Sequence, residues 1–446
     1  MMRNKGVRWL YGELPDLVRQ DILSADAAET LRGHYGPVEE GRWRQMAVTI
    51  SGVLGALLIG LGIIFVLAYN WSALGRSVRT ALSLAPLLAA QGLAAWVLWR
   101  NQPSAAWREG AGVMLALALV ASVALIQQTY HVSSDYDELL LPCLLLALPV
   151  VYLLGSSAVA VLYLVGVLAW AGAADVTGAS DVKGTASLAV WLLAIPLAPH
   201  VWMAARADRY ALRPVFLMWA VALWAGVALA FVVVGGDVDD VVPMVGYPAL
   251  YAVMVLAGAV WFGRGASLWR RPFETVGAAG VAVSAYVLTF RDVWDDLAYH
   301  DRELAAALRN YPAAAAVAAV LVLASLALAG VCLWRRRPWR LVLGAAPALA
   351  LLGVGIFYAT RSASAPAWMF NAYMLALAAA ALVTGFRQRR LAMANLGVLL
   401  VAMLMVARFF DSEMGFLVKG IACIAAGAGF LVTNLVVHRL RRRAMP

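Results

Sequence analysis

The residues most able to do chemistry in this chain are polar side chains that lie at the ends of long apolar runs. Guanidinium and ammonium groups bind phosphates and carboxylates through charge-assisted hydrogen bonds, so basic residues in such positions favour an anionic ligand. We take the following residues as one candidate binding cluster: Asn70, Trp71, Arg76, Arg79, Gln128, Tyr130, His131, Arg291, Asp292, Arg408, Asp411 and Lys419.

Each member of this cluster also has a simpler interpretation. Trp71 and Tyr130 suit the aromatic belt of a membrane protein, and arginines near a helix end can extend to lipid phosphates. Arg408 and Asp411 are three residues apart and can pair with each other on a helix, with Lys419 near enough in sequence to join them. Internal salt bridges and a bound anion are therefore alternative explanations.

Two further chemistries are open, one at this cluster and one at nearby acidic runs. His131, with Tyr130 and Gln128, could relay a proton, or could simply hydrogen-bond a neighbour. Acidic runs at 135–138, 235–240 and 292–296 could hold a divalent cation, but solvated loops have the same composition. No HExxH, GxSxG, P-loop or CxxC motif occurs, so we predict no catalytic residue, no metal site and no cofactor.

The elements that must position these residues are apolar helices. The chain is 63% hydrophobic and 13% charged, whereas a typical soluble domain has about 25% charged residues. Fourteen runs approach the length of about 20 residues that a membrane-spanning helix needs. They cover residues 46–69, 80–99, 110–130, 139–154, 156–174, 184–204, 214–235, 242–262, 273–290, 313–334, 341–358, 367–386, 391–407 and 414–437.

The predicted fold is therefore all-α: a polytopic transmembrane helical bundle of about 14 spans. A short cytoplasmic helical hairpin precedes it, formed by 16–23 and 25–35, with Ser24 as the N-cap of the second helix. The predicted domains are a cytoplasmic segment at 1–45, a transmembrane domain at 46–438 and a basic tail at 439–446.

Basic residues alternate between the two sides of this predicted bundle. The amino-terminal segment, the even-numbered connections and the tail hold 26 of the 35 Lys and Arg residues, and the odd-numbered connections hold 8. By the positive-inside rule, both termini are predicted to be cytoplasmic and the protein to lie in the inner cell membrane. The binding cluster then lies on the outer side, where its basic residues run against the rule.

Two structural questions stay open from the sequence. The apolar stretch 139–174 is interrupted only around Gly155, so it is either a tight helical hairpin or one helix and a re-entrant segment. Fourteen spans could also arise as two inverted repeats of seven, but no internal sequence similarity establishes such a repeat.

Several segments resemble the bacterial predicted membrane proteins of domain of unknown function 2157. They are Asp21-Ile-Leu-Ser-Ala-Asp-Ala-Ala, Gly60-Leu-Gly-Ile-Ile-Phe-Val-Leu-Ala-Tyr-Asn-Trp71, the pair Arg76 and Arg79, and Gln127-Gln-Thr-Tyr-His131. This resemblance covers about residues 10–175, and a departure occurs at Asp21, where the family has glycine. Asn395-Leu-Gly, Arg408-Phe-Phe-Asp411 and Lys419-Gly420 are similar to the last two spans of such proteins. The resemblance implies a multi-spanning cell-membrane protein and supplies no activity.

Three functions fit these observations. The first is a carrier or flippase-like protein that handles an anionic small molecule or lipid. The second is a membrane scaffold or sensor that binds a cytoplasmic protein through residues 10–37. The third, an enzyme acting on lipid-linked substrates at the outer face, is the weakest because the first outer loop has no carboxylate. The expected partners are the lipid bilayer and one of these ligands rather than nucleic acid, and the sequence leaves the oligomeric state open.

Overall fold

The computed structural model describes residues 13–20, 22–35, 74–100, 105–132, 135–177, 185–208, 211–233, 241–261, 267–300, 312–335, 339–388 and 391–410, with residues 10, 71, 420, 421, 424, 427 and 428. All the regular secondary structure of these residues is helical, as predicted. The first predicted span, 46–69, lies outside the described residues, and so does nearly all of the last, 414–437.

Sixteen α-helices run through the described part of the chain. They are α1 (Ala25–Tyr35), α2 (Arg76–Trp99), α3 (Ala105–Tyr130), α4 (Tyr136–Leu154), α5 (Ser157–Thr177), α6 (Thr185–Ala194), α7 (Ala198–Asp208), α8 (Leu212–Val233), α9 (Val241–Trp261), α10 (Pro272–Val287), α11 (Asp292–His300), α12 (Pro312–Trp334), α13 (Trp339–Gly344), α14 (Ala346–Thr360), α15 (Ser364–Arg387) and α16 (Leu391–Phe410). Nine described segments are long and apolar enough to cross a membrane, which makes this a multi-pass helical membrane protein.

The chain divides into two units, residues 1–79 and residues 80–446. In the first unit, residues 13–19 form a short helix ahead of α1. Ser24 accepts a hydrogen bond from the backbone N–H of Ala27 at 3.3 Å, so it caps α1 as predicted. Leu14 is buried, and this small hairpin thus has an apolar centre of its own.

The central helix of the second unit is α9, which packs against α8, α10, α12, α13 and α14 and is mostly buried. The closest helix pairs meet at glycines. A Cβ atom at Gly277 of α10 would lie 2.6 Å from the backbone nitrogen of Val255 on α9, and one at Gly385 of α15 would lie 2.4 Å from that of Ala394 on α16. Only glycine permits such backbone contact between helices.

The stretch 139–174 is a helical hairpin. Gly155 ends α4 in the left-handed region with φ 59°, and α5 begins two residues later. The helices α4 and α5 pack against each other along their length. This arrangement selects the hairpin over the re-entrant segment, because both halves are helices long enough to span.

Two predicted spans are interrupted. In 184–204, a 3₁₀ turn at Ile195–Leu197 separates α6 from α7, and in 341–358, Ala345 separates α13 from α14. Proline explains both breaks, since Pro196, Pro199 and Pro347 lack the backbone N–H that continues a helix.

The connection after α10 was expected to be a solvated acidic loop, but it contains α11. Trp294 on α11 is completely buried, and its indole N–H donates to the Leu288 carbonyl at 3.0 Å. Its ring packs near Phe357 and Phe370. Asp292 and Asp295 remain exposed, so the acids are solvated although the backbone is helical.

Candidate functional site

Among the described residues, a dense polar cluster surrounds the carboxylate of Glu109, in the first turns of α3. Oε1 accepts from the backbone N–H of Ser157 at 3.1 Å and from Nε of Arg213 at 3.0 Å, and a second nitrogen of the same guanidinium also bonds it. Oε2 accepts from the backbone N–H of Ala158 at 2.9 Å and from the Ser156 hydroxyl. Five donor groups, from the amino-terminal end of α5 and from Arg213 on α8, thus converge on one carboxylate.

The local sequence explains why these donors point at Glu109. The first N–H groups of a helix have no partner within it, and the helix dipole favours a negative charge there. The turn at Gly155 aims the start of α5 at α3, and Ser156 caps α5 by accepting from the Val159 N–H at 3.2 Å. The side chain of Glu109 is 21% exposed and that of Arg213 is 45% exposed.

The interruption between α6 and α7 lies at the same end of the bundle. Two tyrosine hydroxyls donate hydrogen bonds to backbone carbonyls at this interruption. Tyr163 donates to the Leu193 carbonyl at 2.8 Å, and Tyr152 donates to the Pro196 carbonyl. Broken helices are tolerated within a membrane where neighbouring side chains satisfy the freed backbone groups in this way. Tyrosines from α4 and α5 therefore stabilise the break.

His200 follows this break directly and is buried. The Tyr152 ring meets it edge-on, with the ring centroids 6.0 Å apart. Its Nε2 atom forms no hydrogen bond with the residues that the structure describes, and it lies within electrostatic range of Glu109 and Arg213. A carboxylate, an imidazole and a guanidinium from α3, α7 and α8 are thus grouped at one end of the bundle, and such a group can exchange protons or bind a charged solute.

A cavity of about 340 Å³ opens beside Glu109 and Arg213. Trp269 lines it and stacks on Trp219, with ring centroids 5.1 Å apart, while the Trp219 indole donates to the Trp269 carbonyl at 2.8 Å. Ser157 also lines the cavity, so the amino-terminal end of α5 is accessible from it.

A second ion cluster surrounds Glu274 on α10. Arg340 contacts its carboxylate at 2.9 Å and Arg271 contacts it at 3.3 Å, and all three side chains are about nine-tenths buried. This cluster joins the start of α10 to α13. Among the described residues, no group of three or more His, Cys, Asp or Glu side chains comes together as a metal site would require.

Of the residues predicted for the binding cluster, Asn70, Asp411 and Lys419 lie outside the described residues. Three others belong to the first unit. Arg76 is exposed at the start of α2, Arg79 donates to the Leu74 carbonyl at 2.8 Å, and Trp71 is partly buried.

The predicted residues of α3 lie at its carboxyl end. Gln128, Tyr130 and His131 are exposed, and His131 ends the helix in the left-handed region with φ 52°. The Tyr130 hydroxyl lies 3.2 Å from that of Thr80 on α2.

The remaining predicted residues meet at the carboxyl end of α10. Arg408 of α16 donates to the Thr289 carbonyl, which the Asn371 amide also contacts at 3.4 Å, and the guanidinium lies 6.0 Å from the Trp368 ring centroid. Arg291 pairs with Asp295 at 3.3 Å. The structure thus brings Arg408 to the segment that carries Arg291 and Asp292, and whether these residues bind a ligand stays a prediction.

Sequence reasoning did not select Glu109, Ser156, His200 or Arg213. Glu109 and Arg213 immediately precede predicted spans, so they look like ordinary flanking charges, and His200 lies inside an apolar run. The available signal was the pair Pro196 and Pro199, because two prolines within a predicted span indicate a broken helix.

The structure places residues from alternate predicted connections at the same end of the bundle. Glu109, Ser156, Arg213 and Trp269 come from the second, fourth, sixth and eighth connections or their borders, and they meet at one end, which we name the Glu109 end. Residues bordering the ninth, eleventh and thirteenth connections meet at Thr289, which defines the Arg408 end.

Comparison with known proteins bears on the amino-terminal third of the chain, which includes Glu109 and Ser156–Ala158. No curated protein and no solved structure matches the chain. The predicted resemblance is confirmed for this part: residues 15–160 match the family model of the predicted membrane proteins of domain of unknown function 2157.

Proposed function

We propose that this multi-pass membrane protein is a carrier or flippase-like protein that handles an anionic small molecule or a lipid with an anionic group. The observation that carries the proposal is the discontinuous helix α6–α7 beside the Glu109 cluster. Many carriers build their binding sites from broken helices, because backbone N–H and C=O groups at the break are not paired within the helix and can bind a solute.

The cost of burying polar groups supports this reading. Ionisable side chains within a bilayer are expensive, so they usually face protein or a water-filled path and mark a functional site. His200 is buried beside the helix break, and Glu109 is held by donors from α5 and α8. A path that reaches these groups from the neighbouring cavity would explain their position.

The basic residues at the Arg408 end support an anionic cargo. Arg291 and Arg408 lie on the side that has few basic residues, where the positive-inside rule disfavours them. Arg408 donates to the Thr289 carbonyl, and Arg291 follows Thr289 by two residues in the chain. A phosphate or carboxylate that passes this end would be attracted by them.

We also propose that the Glu109 end faces the cytoplasm and that the protein lies in the inner cell membrane with both termini inside. The distribution of Lys and Arg between the predicted connections supports this orientation. The test labels single cysteines introduced at Trp269 and at Tyr136 in intact cells, in a protein whose three native cysteines are replaced by alanine. A membrane-impermeant reagent should reach position 136 and spare position 269, and the reverse pattern would overturn the orientation.

Reconstituted protein tests the carrier. Vesicles should translocate a fluorescent phospholipid or take up a labelled organic phosphate faster than empty vesicles, and Glu109→Gln should abolish most of that rate. Arg19→Gln is the matched control, because Arg19 forms an exposed ion pair with Asp16 in the first unit. The proposal fails if neither probe crosses the vesicle membrane faster than in empty vesicles, or if Glu109→Gln translocates a probe as fast as the wild type.

A second function, a scaffold or sensor, has one observation in its favour. A groove of about 440 Å³ lies on the small hairpin of the first unit, with Leu14, Val18 and Ala28 in its walls and Arg19 and Glu29 among its lining residues. Such a groove suits the apolar face of a partner helix. Deleting residues 1–40 separates the two functions, since a scaffold would lose its cytoplasmic protein partner and a carrier would retain transport.

A further inference from the structure

A groove at the Arg408 end separates two helices that are in backbone contact elsewhere. Helices α9 and α10 touch where Gly277 meets Val255, and the Tyr251 ring covers Gly280 so closely that a Cβ there would lie 2.2 Å from it. Beyond this crossing, a groove of about 400 Å³ lies between the helices. Ligand sites in proteins are commonly of about this size or larger.

The groove is apolar and opens on the outside of the bundle. Met244, Pro248 and Leu288 form buried walls, whereas Val283 and Val287 are 55% and 45% exposed. In a membrane protein, an apolar groove that opens outward at this depth faces hydrocarbon chains. A flexible acyl chain is the molecule best suited to fill it.

Polar atoms within the groove distinguish it from an ordinary lipid-facing surface. Tyr247 and Ser284 line it, and neither hydroxyl forms a hydrogen bond with another residue that the structure describes. Pro248 has no N–H, so the Met244 carbonyl lacks the donor that helix α9 would normally supply. Polar groups in hydrocarbon need partners, and the ester carbonyls at the head of an acyl chain can accept from the two hydroxyls.

Charged residues of both signs lie close in the chain to residues that line the groove. Leu288 and Val293 line the groove, and Arg291 lies between them in the chain with its side chain 40% exposed. A guanidinium has five N–H donors and binds phosphate well, so Arg291 can hold a phosphate in addition to Asp295. The exposed acids Asp292 and Asp295 beside it favour an ammonium group next to that phosphate.

We propose that this groove binds a phospholipid, with one acyl chain between α9 and α10, the ester region at Tyr247 and Ser284, and the phosphate at Arg291. An amine-bearing headgroup, as in phosphatidylethanolamine, fits the mouth best. That the bound lipid is also the cargo rests on the proposed function. Binding itself can be measured without transport.

The experiment uses the full chain in phosphatidylethanolamine vesicles that contain a trace of the same lipid with a photoreactive acyl chain. Labelled positions are mapped by mass spectrometry. We expect labelling to concentrate in segments 243–251 and 283–293. Val287→Trp, which fills the groove, should reduce labelling of these two segments to the level found on α12. The control Leu323→Trp, on the exposed face of α12, should leave labelling of the two segments unchanged.

A second variant tests the headgroup. Arg291→Gln should reduce groove labelling by the phospholipid probe about tenfold, as expected for the loss of a charge-assisted hydrogen bond, and should leave labelling by a photoreactive diacylglycerol unchanged. Uniform labelling of all lipid-facing helices, groove labelling that survives Val287→Trp, or equal labelling by diacylglycerol and phospholipid would each overturn the inference. Selective groove labelling in vesicles that translocate no lipid would overturn the carrier and leave the lipid site standing.

Discussion

Replacing Glu109 by glutamine removes one charge and one acceptor atom from a site where five donors meet. Glutamine keeps a single oxygen. If that oxygen takes the place of Oε1, it still accepts from Ser157 and Arg213, but the amide nitrogen then faces the N–H of Ala158. Two donors then oppose each other, and one backbone N–H at the start of α5 loses its partner.

The size of the effect follows from these contacts. Leaving one buried donor without an acceptor costs about 1–3 kcal/mol, and hydrogen bonds to a charged group contribute more than neutral ones. We expect Glu109→Gln to lower the free energy of unfolding by about 2–3 kcal/mol. Arg213→Gln should cost only about 1 kcal/mol, because that side chain is 45% exposed and the surrounding solvent screens its charge.

Titration with sodium dodecyl sulfate in mixed micelles measures the unfolding free energy of each variant, and a double-mutant cycle with both substitutions measures their coupling. Hydrogen exchange should also become faster at the Ala158 amide. An unfolding free energy of Glu109→Gln within about 0.5 kcal/mol of the wild type, or a smaller loss than that of Arg213→Gln, would show that Glu109 does not hold these donors together.

Three further predictions concern the packing of the bundle. Gly277→Ala should destabilise the protein in the same micelle titration, because the new Cβ would lie 2.6 Å from a backbone nitrogen. Gly330→Ala on α12 is the control: its Cβ would enter open space, so this variant should be neutral or stabilised by up to about 1 kcal/mol. Trp294→Ala should cost about 3–5 kcal/mol through the cavity it leaves, and a loss below about 1 kcal/mol would mean that α11 does not dock as described. Tyr163→Phe removes the donor to the Leu193 carbonyl and should cost about 1 kcal/mol, with faster hydrogen exchange confined to the segment around the helix break; exchange that rises evenly over the bundle would contradict that local role.

The helices themselves could be read from the chain with little ambiguity. Whether a segment leaves water depends on the summed hydropathy of about 20 neighbouring residues, which is a local property. The runs that became α2, α3, α5, α8, α9, α12, α15 and α16 illustrate this. The proline-rich run 184–204 shows the limit of such reasoning, because summed hydropathy does not register the break at Pro196.

The site depends on contacts that no local property of the sequence contains. Glu109 finds donors at Ser156 and Arg213, which are 47 and 104 residues away in the chain. In isolation each of these residues is an ordinary charge or hydroxyl beside an apolar run. Amino-acid sequence alone was sufficient to predict that this chain enters the membrane many times, because that property depends on the hydropathy of single segments. Tertiary structure decided which ends meet, since backbone contact at glycines such as Gly277 and Gly385 sets which helices lie side by side.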